Sequence, residues 1–118
     1  RSNELSQVLI NIIKNAKDEL IKIKNNDRRL IFINIYKKDS QAIIKIKDNA
    51  GGINKDIINK IFDAYFTTKE ASDGTGIGLY MSKQIIQEMS GIIEVSNEKY
   101  KYEDVEYLGA QFTIYLDL

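Results

Sequence analysis

From residue 3 to about residue 24, Leu5, Val8, Leu9, Ile12, Ile13, Ala16, Leu20 and Ile23 recur at helical spacing and form one broad apolar stripe. This predicts a long amphipathic helix. Asn25-Asn26-Asp27 supplies a turn, after which residues 30–37 and 42–48 read as two strands joined by a short polar connection around Lys38-Asp39-Ser40. They should pair as a hairpin. Side chains alternate along a strand, so Ile44, Ile46 and Asp48 share one face while Lys45 and Lys47 take the other. The sheet is expected to be covered on one side only, with Asp48 ending the covered side.

Asn54 is placed to cap a short helix over 55–62, followed by an irregular stretch over 63–75. The next helix is expected over 76–89, with Leu79, Ile85, Ile86 and Met89 apolar and Gly91 as its stop signal. Two strands close the chain, at 92–97 and about 109–116, the second carrying Phe112, Ile114 and Leu116 on one face. Residues 98–106 read as a charged, tyrosine-bearing loop. Helices packed on one face of a mostly antiparallel, mixed sheet make an α+β, two-layer α/β sandwich.

Composition narrows the chemistry. The 118 residues, 43% hydrophobic with seven glycines and no proline, suffice for one compact domain over 1–118. Lysine plus arginine and aspartate plus glutamate both number 17, so no global field recruits nucleic acid or an acidic membrane surface. Any anion site must be local. The absence of cysteine and histidine excludes disulfides, thiolate metal sites and a histidine nucleophile or base within these residues. No apolar run approaches the roughly 20 residues that span a bilayer, and no signal peptide opens the chain.

Four groups of residues could carry a function. Asn11 and Asn15, four apart, project from adjacent helical turns, so both amides can reach one ligand. Mg²⁺ takes oxygen ligands and keeps several waters, so an amide carbonyl plus substrate phosphates would complete its shell; ordinary surface asparagines are the alternative. Asp48, a carboxylate on the covered side, needs a partner for its charge, and an adenine amine would be one. The Ala50-Gly51-Gly52 turn that follows would let a flat ring approach the backbone, although Asp48 could equally bond local amides at the end of its strand. Gly74-Thr75-Gly76-Ile77-Gly78-Leu79 lies where a loop becomes a helix, and free N–H groups at helix N-termini attract phosphate. Lys69 could reach a terminal phosphate or simply be solvated.

Taken in order, these segments resemble the catalytic ATP-binding domain of sensor histidine kinases, within the GHKL family of gyrases, histidine kinases, MutL and heat-shock chaperones. Residues 7–16 are similar to that family's N box, 48–53 to its first glycine box, 61–69 to its F box, 74–79 to its second glycine box and 109–113 to its last. The Phe66-Thr67-Thr68-Lys69 ending and the short segment to Gly74 are most like the nitrogen-regulation type. The resemblance implies a Bergerat-type sandwich that binds ATP with Mg²⁺. Asp48 would bind the adenine amine, Asn15 would coordinate Mg²⁺ and Asn11 would shape the metal's water shell. The start of an ATP lid is implied over 62–69, and the second glycine box would wrap the phosphates. The implied nucleotide set is Asn15, Asp48, Gly52, Ile53, Phe62, Thr68, Lys69, Gly74, Thr75, Gly76, Ile77, Gly78, Leu79 and Thr113, with Asn11 and Lys69 nearest the reacting phosphate.

Gyrase and MutL enzymes carry a glutamate base at the position of Asn11, and a neutral amide cannot take a proton from water. Asn11 therefore favours phosphotransfer to a separately supplied histidine over hydrolysis. By the same resemblance that histidine sits on a dimerising helical hairpin preceding Arg1, the next partner is a response regulator, and the domain works in the cytoplasm, in a parent protein free or membrane-anchored. An anti-sigma-type serine kinase and a degenerate nucleotide-sensing module of the same fold are the alternatives. The pattern departs from the family at Ala50, in place of the first glycine, and at Asp18-Glu19, where a cation and an aromatic are usual. Lys14, Lys17 and Lys69 are the substitutes for that cation, and Gln111 stands where a threonine is often found. The usual strand before the N box is missing, as expected of a piece cut from a longer protein.

Overall fold

A computed structural model describes residues 2–24, 27–67 and 76–118. Helix α1 (Ser2–Leu20) is followed by the hairpin β1 (Ile31–Lys38) and β2 (Gln41–Asp48), helix α2 (Gly78–Glu88), and a second hairpin, β3 (Ile92–Tyr102) and β4 (Val105–Asp117). The sheet order is β1-β2-β4-β3, and every pairing among the described residues is antiparallel. Both helices lie on one face, giving the expected α+β two-layer sandwich.

The core forms where the predicted stripes meet. Val8 and Ile12 from α1, Ile86 from α2 and Ile114 from β4 are fully buried, with Ile44, Ile46, Ile61, Ile93 and Phe112 completing the cluster. Ile44, Ile46 and Asp48 share the helix-side face as their alternation predicts, and Phe112 and Ile114 do the same on β4. Burying one such isoleucine is worth about 1.5–3 kcal/mol, so the cluster fixes the register of α1 and α2 on the sheet.

Helix ends differ from the sequence expectation for identifiable reasons. The first helix stops at Leu20 rather than near Lys24, because Arg29 donates from Nε to the Leu20 carbonyl (2.9 Å) and from Nη2 to that of Ile23. Lys22 and Ile23 then make tighter bonds to the carbonyls three residues back, and the helix unwinds. The helix expected over 55–62 is only a 3₁₀ turn, Ile58–Lys60. Asn54 does accept from the Asp56 N–H (2.7 Å), but that local bond holds a turn, and β-branched Ile57 and Ile58 do little to extend it. At the end of α2, Ser90 rather than Gly91 takes the left-handed position (φ 58°), and the Gly91 N–H closes back on Ile86 O at 2.9 Å.

The largest correction concerns residues 98–106. They are not a loop: β3 and β4 stay paired from Ile92↔Tyr115 to Tyr102↔Val105 and turn through Glu103 and Asp104, whose φ values of 50° and 66° suit a tight hairpin. Lys99 and Lys101 alternate with Tyr100 and Tyr102, a strand period that the charge density hid. This hairpin also overturns the expectation of a sheet covered on one side only. Phe32 of edge strand β1 meets Tyr100 and Tyr102 of the opposite edge strand, at ring separations of 5.7 and 4.8 Å. The tip therefore curls over one corner of the face opposite the helices.

Candidate nucleotide site

A cleft of about 480 Å³ opens between α1, the segment after β2, β4 and the start of α2. Its floor is Asp48, 6% exposed and therefore a charge removed from water. Lys47 pairs with Gln111, so Asp48 should next oppose Ala110 across the ladder. Instead, the Ala110 N–H donates to Asp48 Oδ1 (3.2 Å), and the Ala50 N–H donates to the same oxygen (3.0 Å). Neither bond uses Oδ2, which has no donor among the described residues. Burial pushes the Asp48 carboxyl above its ordinary range; the two amides act in the opposite sense, and the Glu19 charge adds to the rise.

The bare backbone around Asp48 is obligatory at one point. A Cβ on Gly109 would sit 1.6 Å from the Asp48 carbonyl oxygen, so only glycine lets β4 cross here. Substitution of Ala50 for the family's first glycine is harmless by contrast, because the left-handed positions of the turn fall on Gly51 and Gly52. The turn is held from both sides. Asn49 bonds Leu30 N–H and Arg28 C=O, both at 2.8 Å, while Asn97 of β3 bonds both polar groups of the Ile53 backbone at 2.7 Å.

On the opposite wall, Asn11, Lys14 and Asn15 of α1 face Gly76, Gly78 and Leu79. Asn11 donates through Nδ2 to Ser82 Oγ (3.2 Å) and Gly78 O (3.4 Å), and accepts from Gln7 Nε2 at 3.0 Å. Gly76 has φ 73° and its carbonyl accepts from the Tyr65 N–H at 2.9 Å; a Cβ there would run into the Tyr65–Phe66 backbone. These residues therefore close on one another, with Phe66 and Thr67 on the rim of the cleft.

Of the residues expected from sequence, Asn11, Asn15, Asp48, Gly52, Ile53, Gly76, Gly78 and Leu79 come together on this cleft. Thr68, Lys69, Gly74 and Thr75 lie outside the described residues. Phe62 and Ile77 do not line it. Phe62 instead packs edge-on against Phe112 (6.1 Å) beneath Lys83 Nζ, supporting the wall from behind. Thr113 pairs with Lys45 and Glu94 and, lying between core-facing Phe112 and Ile114, points to the opposite face; so does Gln111. Ala110 is the residue of this strand that meets Asp48; the alternation from Phe112 puts it on the helix-side face, but the strand register alone sets it against Asp48. Ile57 and Ile61, which supply an apolar wall, were also missed. They carry no polar signal.

The family of histidine kinase-, DNA gyrase B- and HSP90-like ATPases matches over residues 1–118. The two-component sensor PprA of Pseudomonas aeruginosa is 30% identical over 100 residues, covering 83% of this chain and 11% of that protein. An NtrY-like sensor histidine kinase of Rickettsia bellii is 31% identical over 98 residues, covering 83% of this chain and 15% of its own length. The chain thus spans under a fifth of these curated relatives. Among solved structures, the catalytic domain of the histidine kinase ThkA, in a nucleotide-free form, aligns over 99% of this chain and 69% of its own with a TM-score of 0.77 and 25% identity. With its cleft, its ordered motifs and these relatives, the chain belongs to the family of histidine kinase-, DNA gyrase B- and HSP90-like ATPases, as an ATP-binding catalytic domain of the sensor histidine kinase type.

Proposed function

We propose that residues 1–118 form one catalytic domain that binds Mg-ATP in this cleft and passes the γ-phosphate to a histidine outside it. One observation carries the reading: Asp48 is buried with Oδ1 doubly bonded and Oδ2 without a donor, as a carboxylate waiting for the adenine amine would be. Ile53, Ile57 and Ile61 flank it with apolar surface for the purine, and the phosphates extend toward Gly76, Gly78 and Lys14. Asn15 offers one neutral oxygen donor, which suits a hard dication that brings phosphate oxygens and water as its other ligands. Such an ion supplies charge neutralisation at the phosphates when bound.

In the transfer, an imidazole nitrogen forms a bond to the γ-phosphorus, the bond to the β-phosphate oxygen breaks, ADP leaves and the imidazole gives up its proton. Positioning and charge neutralisation carry most of the rate. Asn11, a neutral amide already committed to Ser82 and Gln7, has no capacity as a base for water, which disfavours hydrolysis. Thr68, Lys69, Gly74 and Thr75 complete the phosphate side in this reading, whereas Phe62 acts from behind the wall, Ile77 stands at the N-terminus of α2 outside the lining and Thr113 has no contact role. The phosphoacceptor sits on a histidine-bearing dimerisation domain, a response regulator receives the phosphate, and the setting is cytoplasmic. Among the described residues no helix is long and apolar enough to cross a membrane.

The test has two arms. Calorimetry should detect ADP binding to the chain and little GDP binding. Labelled ATP should leave the chain itself unlabelled, since it contains no histidine, yet label a histidine-bearing helical hairpin of the parent protein with acid-labile phosphate. Rapid ATP hydrolysis by these residues alone would instead place the domain with the gyrase and MutL branch. Glu19, an acidic residue lining the cleft where an aromatic is usual, favours a second reading as a nucleotide sensor, which predicts ADP binding without any label transfer.

A further inference from the structure

Strand β3 contributes two contacts that the nucleotide motifs do not contain. The Asp48 carbonyl has lost its place in the ladder, because the opposing Ala110 N–H is spent on the Asp48 carboxylate. A buried carbonyl requires a donor, and the donor here is the Tyr100 hydroxyl, at 2.6 Å across the gap left by Gly109. Three residues earlier on the same strand, Asn97 holds both backbone groups of Ile53. The two ends of the 48–53 turn are thus fixed by one strand.

We propose that Tyr100 is a positioning residue for adenine recognition: its hydroxyl locks the peptide that bears Asp48, so that Oδ2 is presented to the cleft. The inference rests on the reading of this cleft as an adenine-nucleotide site. Tyr100 is itself held in place. Lys47 Nζ lies 3.9 Å from its ring centre, and Phe32 and Tyr107 contact it at 5.7 and 5.9 Å. Desolvation, with the nearby Asp48 charge, pushes its hydroxyl up to about 12, so it remains a proton donor throughout the physiological range. A hydroxyl that donates to the main chain leaves both Asp48 oxygens to Ala50, Ala110 and the ligand. A preorganised acceptor is worth more to binding than one that must be ordered when the ligand arrives.

The discriminating probes are ADP and inosine diphosphate, whose base carries a carbonyl in place of the 6-amine and so presents an acceptor to Asp48 where adenine presents a donor. Tyr100→Phe keeps the ring and its neighbours and removes only the donor. By calorimetry on the full chain it should weaken ADP about three- to tenfold and leave inosine diphosphate unchanged, so the preference between them shrinks. In an Asp48→Asn background the same change should have no further effect on ADP, and 4-aminophenylalanine at position 100, which retains a donor, should restore the preference. Equal losses for both nucleotides, or an unchanged preference, would overturn the assignment of Tyr100 while leaving the nucleotide site in place. Failure of the parent chain to bind ADP at all would remove the site itself, and the inference with it.

Discussion

Asn11 of α1 donates its amide to the hydroxyl of Ser82 on α2 at 3.2 Å, keying the asparagine-bearing helix to the helix that follows the glycine-rich segment. Ser82 is fully buried, and its Oγ passes the bond on to Gly78 O at 2.9 Å, in the first turn of α2. Two walls of the cleft are thereby held at a fixed separation by side chains rather than by sheet structure. Ser82→Ala leaves the Asn11 Nδ2 donor only the longer contact to Gly78 O. We expect a loss of about 1 kcal/mol of stability, seen as a melting temperature lower by roughly 4 °C, with the fold otherwise intact by circular dichroism. An unchanged melting temperature would mean that this bridge contributes nothing.

Asp48→Asn should weaken ADP binding by about tenfold to a hundredfold, since a charge-assisted bond in a buried site is worth roughly 1.5–3 kcal/mol. The free domain should not suffer. Because burial raises the folded-state value of Asp48 above the ordinary 3.8, the native state holds the proton more tightly than the unfolded chain does. That contribution to stability is fully present below 3.8 and is lost as pH rises through the raised folded value. At pH 7 the mutant, which carries no charge there, should be at least as stable as the parent, and its advantage should vanish below 3.8. Urea unfolding at the two pH values measures this, and a mutant clearly less stable at pH 7 would contradict it. ADP affinity of the parent should also decline on acidification as Asp48 takes up its proton.

Gly109→Ala should be among the most damaging single-methyl additions in the chain. The added carbon would overlap the Asp48 carbonyl oxygen, backbone against backbone, and no side-chain rotation relieves that contact. Strand β4 would have to move away, breaking the Ala110 bond to Asp48 and the Gly51 N–H bond to Leu108 O (2.9 Å). A cost of about 3 kcal/mol or more is expected in denaturant unfolding, along with loss of ADP binding in whatever remains folded. A loss under about 1 kcal/mol would show that the crossing is looser than this geometry.

Asn15→Ala tests the metal assignment separately from the base. ADP binding in excess chelator should match the parent, whereas the gain in affinity on adding Mg²⁺ should shrink. Loss of metal-free binding would give Asn15 another task.

Periodicity over two to four residues determined the stripe on α1, the strands of the first hairpin and the placement of Asp48 on the covered face, because burial acts on neighbours within one element. The order of Asn11, Asn15, Asp48 and the glycine segments was likewise enough to point to an ATP site. Three features were decided only in the folded molecule: Ala110 and not Gln111 or Thr113 meeting Asp48, Asn11 bonding Ser82, and Tyr100 holding the Asp48 carbonyl. Their partners are 62, 71 and 52 residues apart, so each depends on where strands and helices register after the chain has closed. The hairpin over 98–106 shows the same division. Its tyrosine alternation was present in the sequence, but the surface on which Tyr100 and Tyr102 settle, Phe32 of a strand at the other edge of the sheet, is created only when the sheet coils and brings that edge beneath them.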